Sequence, residues 1–178
     1  NWYTGSGVIV GNNDILTASH VVWDKELGGG ADEVRIYASY DPDSSSYSNY
    51  YNAAGWSYYP LDDSEDGKIS RGDNNVYTKK GTEEDIALIH LYEDIGSKYG
   101  MMNLKYDFSG GTANKLGYPG KYSNNLMYDT GLVYKDNIDN YLWYYADDIE
   151  VNNGDSGGPI YVYSGNQLGY EVIGIHSS

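Results

Sequence analysis

The stretch NNGDSGGPI, residues 152–160, places Ser156 among glycines, directly after an acidic residue and ahead of an apolar run. Glycines at this density cost backbone entropy, and they are used where the main chain turns tightly or approaches a ligand. One interpretation is a surface turn before the strand that the next residues predict. The other is a nucleophile whose own N–H, together with that of Gly154, points into a pocket. Residues elsewhere in the chain have to distinguish these two interpretations, because a nucleophilic serine needs a neighbouring base.

The composition indicates one domain, or two small halves packed closely together, with room for a proper core in 178 residues. The absence of cysteine excludes a disulfide framework, a thiolate metal site and a cysteine nucleophile. The net charge of −15 repels nucleic acid and anionic membranes, so we expect neither as a partner. No apolar run reaches the length of about 18 residues that a membrane-spanning helix needs, so we expect no membrane insertion.

Strand signals dominate the chain, and helix signals are weak. Short runs rich in β-branched and aromatic residues alternate with Gly, Asn and Asp, and Asn12 and Asn13 form a plausible hairpin turn. The predicted strands lie in residues 6–11, 14–18, 34–40, 86–92, 114–119, 130–135, 141–146, 159–164 and 170–176. Two polar insertions, 41–52 and 62–75, interrupt the pattern without resembling linkers. This arrangement predicts an all-β barrel or sandwich in a single domain.

His20 and Asp85 are the candidate partners of Ser156. His20 ends the segment LTASH, and Asp85 begins DIALI. Taken alone, each is more typical of a structural residue than of a catalytic one. A hydroxyl becomes a good nucleophile when a histidine takes its proton, and that histidine is commonly oriented by a carboxylate. The chain supplies these types in the order His, Asp, Ser, which is the order of the chymotrypsin-type triad.

The blocks LTASH, DIALI and GDSGGP resemble the three signature blocks of trypsin-fold serine proteases. Within that family the chain is similar to the bacterial glutamyl endopeptidase-like branch, in residues 6–22, 116–121, 130–134 and 172–176. The similarity covers most of the chain except the two insertions. It implies an all-β fold of two packed antiparallel barrels of the six-stranded type, roughly residues 1–100 and 101–178, in one peptidase domain spanning 1–178.

The resemblance also implies a role for each residue. Ser156 attacks the scissile carbonyl, His20 acts as base and then as acid, and Asp85 orients His20. The N–H groups of Gly154 and Ser156 form the oxyanion hole, which accounts for the glycine. The predicted protein is a secreted, extracellular serine endopeptidase that cleaves proteins or peptides through an acyl-enzyme. We expect it to be a monomer and to need no cofactor for catalysis.

The chain departs from the family pattern at its ends. Few residues precede the first strand, and the sequence stops where the family continues with a pocket wall, a strand and a helix, so we expect a catalytic core trimmed at both ends. The first residue is Asn1 rather than Ile or Val. The trypsin-style switch, in which a freed terminal amine pairs with the acid before the serine, is therefore not predicted for Asp155.

Three residues bear on which bond is cut. The resemblance places His176 where the glutamyl branch holds the substrate's acidic side chain, but the hydroxyl residue that assists there is replaced by Val151. Glu150 matches the position where trypsins carry the acid that pairs with Lys or Arg of the substrate. Alternatively, Glu150 turns outward or pairs with His176, and His176 is a hydrogen-bonded strand residue. The resemblance favours cleavage after acidic residues, with cleavage after Lys or Arg as the alternative.

Residues 62–73 fit the spacing of a twelve-residue calcium loop. Oxygen-bearing side chains fall at positions 1, 3, 5, 9 and 12, and glycine occupies position 6. The candidate ligands are Asp62, Ser64, Asp66, Lys68, Ser70 and Asp73, where Lys68 would contribute a backbone carbonyl. Asp73 is shorter than the usual bidentate glutamate, and flanking helices are not predicted. An acidic, solvated loop is the alternative to a structural Ca²⁺ site.

Other functions compete with the protease hypothesis. A catalytically silent trypsin-fold binding protein fits the missing terminal segments, although all three triad types are intact. A calcium-dependent adhesion module rests on residues 62–73 alone. A serine esterase of another fold is disfavoured, because residues 154–158 read GDSGG rather than the Gly-x-Ser-x-Gly elbow.

Overall fold

The structure is a computed structural model that describes residues 2–24, 27–43, 49–59, 84–136, 143–146 and 148–177. Within these residues the chain is mostly β-structure, with two single-turn α-helices, α1 Ser19–Val22 and α2 Gly96–Tyr99, and one 3₁₀ turn, Gly120–Tyr122. None of the described helices is long and apolar enough to cross a membrane. The described strands form two large sheets and one short hairpin.

The first sheet is built from five antiparallel strands. They are β1 Val8–Ile9, β2 Asp14–Thr17, β5 Arg35–Ile36, β6 Tyr51–Tyr58 and β7 Ala87–Leu91, and the separate hairpin consists of β3 Trp23–Asp24 and β4 Gly29–Gly30. The order across the sheet is β1-β2-β7-β6-β5. β2 and β7 pair from Asp14 opposite His90 to Thr17 opposite Ala87. This pairing brings the end of β2, which leads into His20, beside the start of β7, which follows Asp85.

The second sheet contains six strands. They are β8 Asn103–Leu104, β9 Gly110–Gly117, β10 Met127–Asp136, β11 Trp143–Ala146, β12 Pro159–Tyr163 and β13 Tyr170–Ile175. The order is β11-β10-β9-β12-β13-β8, and every pair is antiparallel except β13 with β8. The segment between β11 and β12 carries Ser156, and β13 leads directly into His176.

Each sheet has its own apolar core. In β7, Ala87, Ile89 and Leu91 are buried while the two residues between them are exposed, which is the period of two expected of a strand with one covered face. They pack with Ile15, Val22 and Ile95 in the first core. The second core is formed by Ala113, Val133, Ile149, Val162 and Ile173. Burying each large aliphatic side chain contributes about 1.5–3 kcal/mol.

The predicted all-β fold of two antiparallel barrels is confirmed, with some differences in detail. Among the described residues the first sheet has five strands rather than six, and the β8–β13 contact is parallel. β6 was not predicted, because its sequence YNAAGWSY begins inside the polar insertion and lacks a clear alternation. Its pairing with β7, with an irregularity between Ala53 and Gly55, makes it a strand. All strands of the first sheet lie before residue 92, and all strands of the second lie after residue 102.

Candidate active site

His20 lies on α1, the single helical turn that directly follows β2. Two neighbouring side chains anchor this junction. Thr17 donates a hydrogen bond to the carbonyl of Ser6 at 2.7 Å, and Ser19 donates to the carbonyl of Ile86 at 2.6 Å. The second bond ties the histidine segment to the segment that carries Asp85. His20 is thereby held between the segment that precedes β1 and the segment that leads into β7.

Asp85 is 1 % exposed and accepts three hydrogen bonds. Its Oδ1 accepts the backbone N–H of His20 at 2.9 Å, and its Oδ2 accepts the His20 Nδ1 proton at 2.6 Å. Oδ2 also accepts the hydroxyl proton of Ser177 at 2.5 Å. Because a carboxylate can only accept, the proton of a neutral His20 ring resides on Nδ1, and Nε2 is left as the basic nitrogen.

Ser177 was not among the predicted site residues. It lies 92 positions along the chain from Asp85, after the end of β13. No local pattern marks a serine in the segment IHSS as a hydrogen-bond donor to a carboxylate. Its only sequence signal is that it directly follows the candidate specificity residue, His176.

Ser156 lies in a glycine-rich loop, residues 150–158, which we call the serine loop. Gly154 and Gly157 have φ angles of +101° and +83°, which side chains rarely tolerate. The loop closes through a turn in which the N–H of Asp155 donates to the carbonyl of Asn152 at 3.0 Å. A Cβ on Gly157 would overlap Thr17 and the carbonyl of Ser6, so this glycine lets the loop pack against the end of β2. The loop therefore packs beside the segment that leads to His20.

Three hydrogen bonds to backbone carbonyls fix the direction of the peptide groups around Ser156. The N–H of Gly120 donates to the carbonyl of Asn153 at 2.8 Å, and the Ser6 hydroxyl donates to the carbonyl of Gly154 at 2.7 Å. The N–H of Ser6 donates to the carbonyl of Ser156 at 2.8 Å. A trans peptide points its N–H opposite to its C=O, so the Gly154 N–H faces away from Gly120.

The two N–H groups predicted to form an oxyanion hole are left without acceptors in the described part of the chain. Neither the N–H of Gly154 nor that of Ser156 donates a hydrogen bond to another described residue. Two unpaired N–H groups on one loop, beside a serine hydroxyl, are suited to accept a developing negative charge on oxygen. Ser156 itself is 9 % exposed.

A buried ion pair connects β9 to the serine loop. The side chains of Lys115 and Asp155 are 3 % and 0 % exposed, and Lys115 Nζ lies 2.6 Å from Asp155 Oδ2. Lys115 also donates to the backbone carbonyl of Glu150. The sequence carried a signal for this lysine, because Ala113, Lys115 and Gly117 share the buried face of β9. A charged residue in that register has to find a partner in the core.

The candidate specificity residues occupy different environments. Glu150 lies at the surface, where its carboxylate accepts hydrogen bonds from Lys121 Nζ at 2.7 Å and from the Tyr122 hydroxyl at 3.2 Å. The hydrogen bond from Lys121 lowers the pKa of Glu150. Glu150 is thus not a buried, unpaired carboxylate, and the alternative of an outward-facing side chain is the one observed. Val151 is 52 % exposed and adds no polar group.

His176 lies partly buried beside the serine loop. Its backbone N–H donates to the carbonyl of Gly158, and its backbone carbonyl accepts the N–H of Gly157, both at 2.8 Å. Burial, followed by the positive charge of Lys115, lowers the pKa of its imidazole to about 4. The nearby Asp155 carboxylate opposes this shift without cancelling it. The ring is therefore neutral near pH 7 and has one N–H to donate.

The six predicted calcium ligands, in residues 62–73, lie outside the described residues. Among the residues that are described, no group of three or more His, Cys, Asp or Glu side chains is arranged to hold a metal ion. The calcium site stays a prediction.

A cleft of about 1050 Å³ borders His20. Its rim includes Tyr40 and Tyr118, whose rings meet edge to face with centroids 6.1 Å apart. His20 is one of the residues that line this cleft, and its side chain is 15 % exposed.

The family described as "Trypsin-like peptidase domain" matches residues 5–175. The structure of a Glu endopeptidase in complex with MPD is similar with a TM-score of 0.70 at 21% identity, covering 99% of this chain and 74% of that one. The protease Anisep from Arthrobacter nicotinovorans gives 0.60 at 19% identity, covering 94% of this chain and 74% of its own. A serine endoprotease from Yersinia pestis gives 0.53 at 19% identity, covering 96% and 47% respectively.

No curated protein matches the chain by sequence. At identities of 19–21% the structural similarity establishes the fold alone, while the family match spans nearly all of the described residues. The chain belongs to the trypsin-like peptidase domain family and is a serine protease of the trypsin fold.

Proposed function

We propose that the chain is a secreted serine endopeptidase that uses Ser156, His20 and Asp85 as its catalytic triad. The observation that carries the proposal is the hydrogen bonding of Asp85, a buried carboxylate that accepts both the backbone N–H and the Nδ1 proton of His20. This pairing leaves Nε2 as the base. The packing of the serine loop against the end of β2 supports Ser156 as the group from which Nε2 takes the proton.

The proposed reaction proceeds in two halves. His20 Nε2 accepts the proton of Ser156 as its oxygen attacks the scissile carbonyl, and the N–H groups of Gly154 and Ser156 bind the resulting oxyanion. The protonated His20 gives its proton to the leaving amine, and the acyl-enzyme remains. A water molecule then loses a proton to His20 and attacks the acyl group, which releases the acid and returns the proton to Ser156. These steps need no cofactor.

We infer that an acidic residue precedes the scissile bond. A neutral imidazole at His176 carries one N–H, which is a donor of the kind that a substrate carboxylate accepts. Glu150, the residue on which cleavage after Lys or Arg depends, is already paired with Lys121 at the surface. The structural similarity to a Glu endopeptidase supports the same preference.

A peptide library digested with the wild type and with Ser156→Ala, and read by mass spectrometry, tests the function. We expect cuts after Glu or Asp that disappear in the variant. Cuts after Lys or Arg would keep the triad and assign specificity to Glu150. Equal digestion patterns for the two proteins would favour a catalytically silent binding protein.

Two variants test His176 as the specificity residue. His176→Gln replaces the rigid imidazole with a flexible amide whose N–H is no longer held at the same point, and weakening of a hydrogen bond to a charged group should lower kcat/KM for Glu substrates roughly tenfold to hundredfold. Val151→Thr adds the missing hydroxyl, and we expect it to raise the preference for Glu over Gln. A His176→Gln enzyme with an unchanged preference would remove His176 from the specificity site.

The remaining properties are proposed on the sequence alone. From its resemblance to the bacterial proteases, the chain is expected to act outside the cell as a monomer, which secretion assays and light scattering would test. Calcium binding by residues 62–73 would appear as a rise in melting temperature with added Ca²⁺ that is lost in Asp62→Asn.

A further inference from the structure

Lys115 is a buried cation on β9 that contacts the serine loop. Its ammonium group contacts the loop twice, at the carbonyl of Glu150 and at Asp155 Oδ2. The two contacts lie on either side of Asn153 and Gly154. One amine thus joins the beginning of the loop to the residue that directly precedes Ser156.

Asp155 depends on this amine. Its Oδ2 accepts Lys115 Nζ and the backbone N–H of Asn152, the latter at 3.0 Å, whereas Oδ1 has no hydrogen-bond partner among the described residues. Lys115 supplies the only positive charge that is paired with the carboxylate among the described residues. Burying a carboxylate without such a charge is costly, so loss of the amine would leave Asp155 as an uncompensated buried charge and favour a rearrangement of its side chain.

We propose that Lys115 is a positioning residue that orders the oxyanion hole from within the folded chain. The peptide group between Asp155 and Ser156 carries one of the two unpaired N–H groups. Fixing the Asp155 side chain fixes the orientation of that peptide group. The carbonyl contact with Glu150 prevents the start of the loop from moving away.

The inference rests on the proposed role of the serine loop in catalysis. Lys115 does not contact the reacting atoms in this scheme, because its amine donates hydrogen bonds to the carbonyl of Glu150 and to Asp155. Its loss should therefore reduce kcat more than it raises KM. A residue that only stabilised the fold would change the melting temperature without this selective loss of kcat.

The test compares Lys115→Met with Lys115→Arg and with a control, Lys105→Met. Lys105 pairs with Asp107 at 2.9 Å and with the buried Glu171 at 3.9 Å, both outside the serine loop, so its replacement also takes a lysine from a buried carboxylate but leaves the loop untouched. We expect kcat of Lys115→Met to fall roughly 100-fold or more, as for loss of an oxyanion donor. Lys115→Arg should retain a larger share of the activity, and Lys105→Met should stay within about twofold of the wild type.

Hydrogen exchange of the backbone amides in residues 152–158 provides a measurement that does not need turnover. We expect faster exchange there in Lys115→Met and no change in Lys105→Met. Wild-type kcat together with wild-type exchange in Lys115→Met would overturn the inference. If the wild type hydrolyses no peptide, the proposed function fails, while the exchange comparison still decides the role of Lys115.

A double variant keeps the test decisive if the single variant fails to fold. If Lys115→Met does not fold, the double variant Lys115→Met, Asp155→Asn removes both buried charges, and we expect it to fold with low kcat and rapid loop exchange. Normal kcat in the folded double variant would overturn the inference.

Discussion

Replacing Ser177 with alanine tests whether the hydrogen bonds to Asp85 hold the proposed triad together. Asp85 is buried and accepts three hydrogen bonds, one of them from the Ser177 hydroxyl at 2.5 Å. Alanine removes that donor and leaves the two donors from His20. Among the described residues, Ser177 is the only donor to Asp85 that follows a strand of the second sheet.

The expected loss follows from the charge of the acceptor. A hydrogen bond to a charged group contributes about 1.5–3 kcal/mol to stability. For a chain of this size each kcal/mol shifts the melting temperature by roughly 2–4 °C, so Ser177→Ala should melt about 3–12 °C lower. Activity should fall less than in a variant that alters Asp85 itself, because the contact between Asp85 and His20 Nδ1 remains.

The matched control is Ser97→Ala. Ser97 also donates to a carboxylate, Asp94 Oδ2, at 2.7 Å, but both residues are exposed at the start of α2. Because water replaces the lost donor at an exposed site, we expect a loss below about 1 kcal/mol. Urea unfolding and kcat/KM would be measured on both variants. Equal losses of stability in the two, with unchanged activity in Ser177→Ala, would refute the reasoning.

Three other predictions test the site. Asp85→Asn should lower kcat/KM about 10⁴-fold near pH 7, because an amide donating to Nδ1 selects the wrong tautomer of His20; a loss under tenfold in peptide hydrolysis would contradict the triad. Gly154→Ala should reduce kcat roughly 100-fold or more, since φ is +101° and a Cβ would lie 2.6 Å from the carbonyl of Tyr118; active-site titration would confirm that the variant is folded. In the folded chain the pKa of His176 is lowered to about 4, whereas in the unfolded chain it is about 6.5. As the pH falls below about 6.5, the histidine is therefore protonated in the unfolded chain before it is protonated in the folded one, and the free energy of unfolding decreases. Between pH 6.5 and 4.5 this amounts to about 2 kcal/mol, which His176→Gln should abolish in urea unfolding.

The all-β fold could be predicted because its signals are local. The alternation of β7 and the glycines around Ser156 arise from the geometry of one strand or one turn. The types and the order of His20, Asp85 and Ser156 were also visible, because each sits in a distinctive block. β6 could not be predicted, since its polar and small residues become a strand only by pairing with β7.

The sequence by itself determined the fold class, the family and the candidate triad, because these depend on residue type, spacing and strand periodicity. Only the tertiary structure decided the environment of each side chain. Ser177 reaches Asp85 across 92 positions, and Lys115 reaches Asp155 across 40. The outward pairing of Glu150 and the lowered pKa of His176 likewise depend on neighbours from other strands and loops. Burial and electrostatic pairing are properties of distance in space, which a linear pattern does not record.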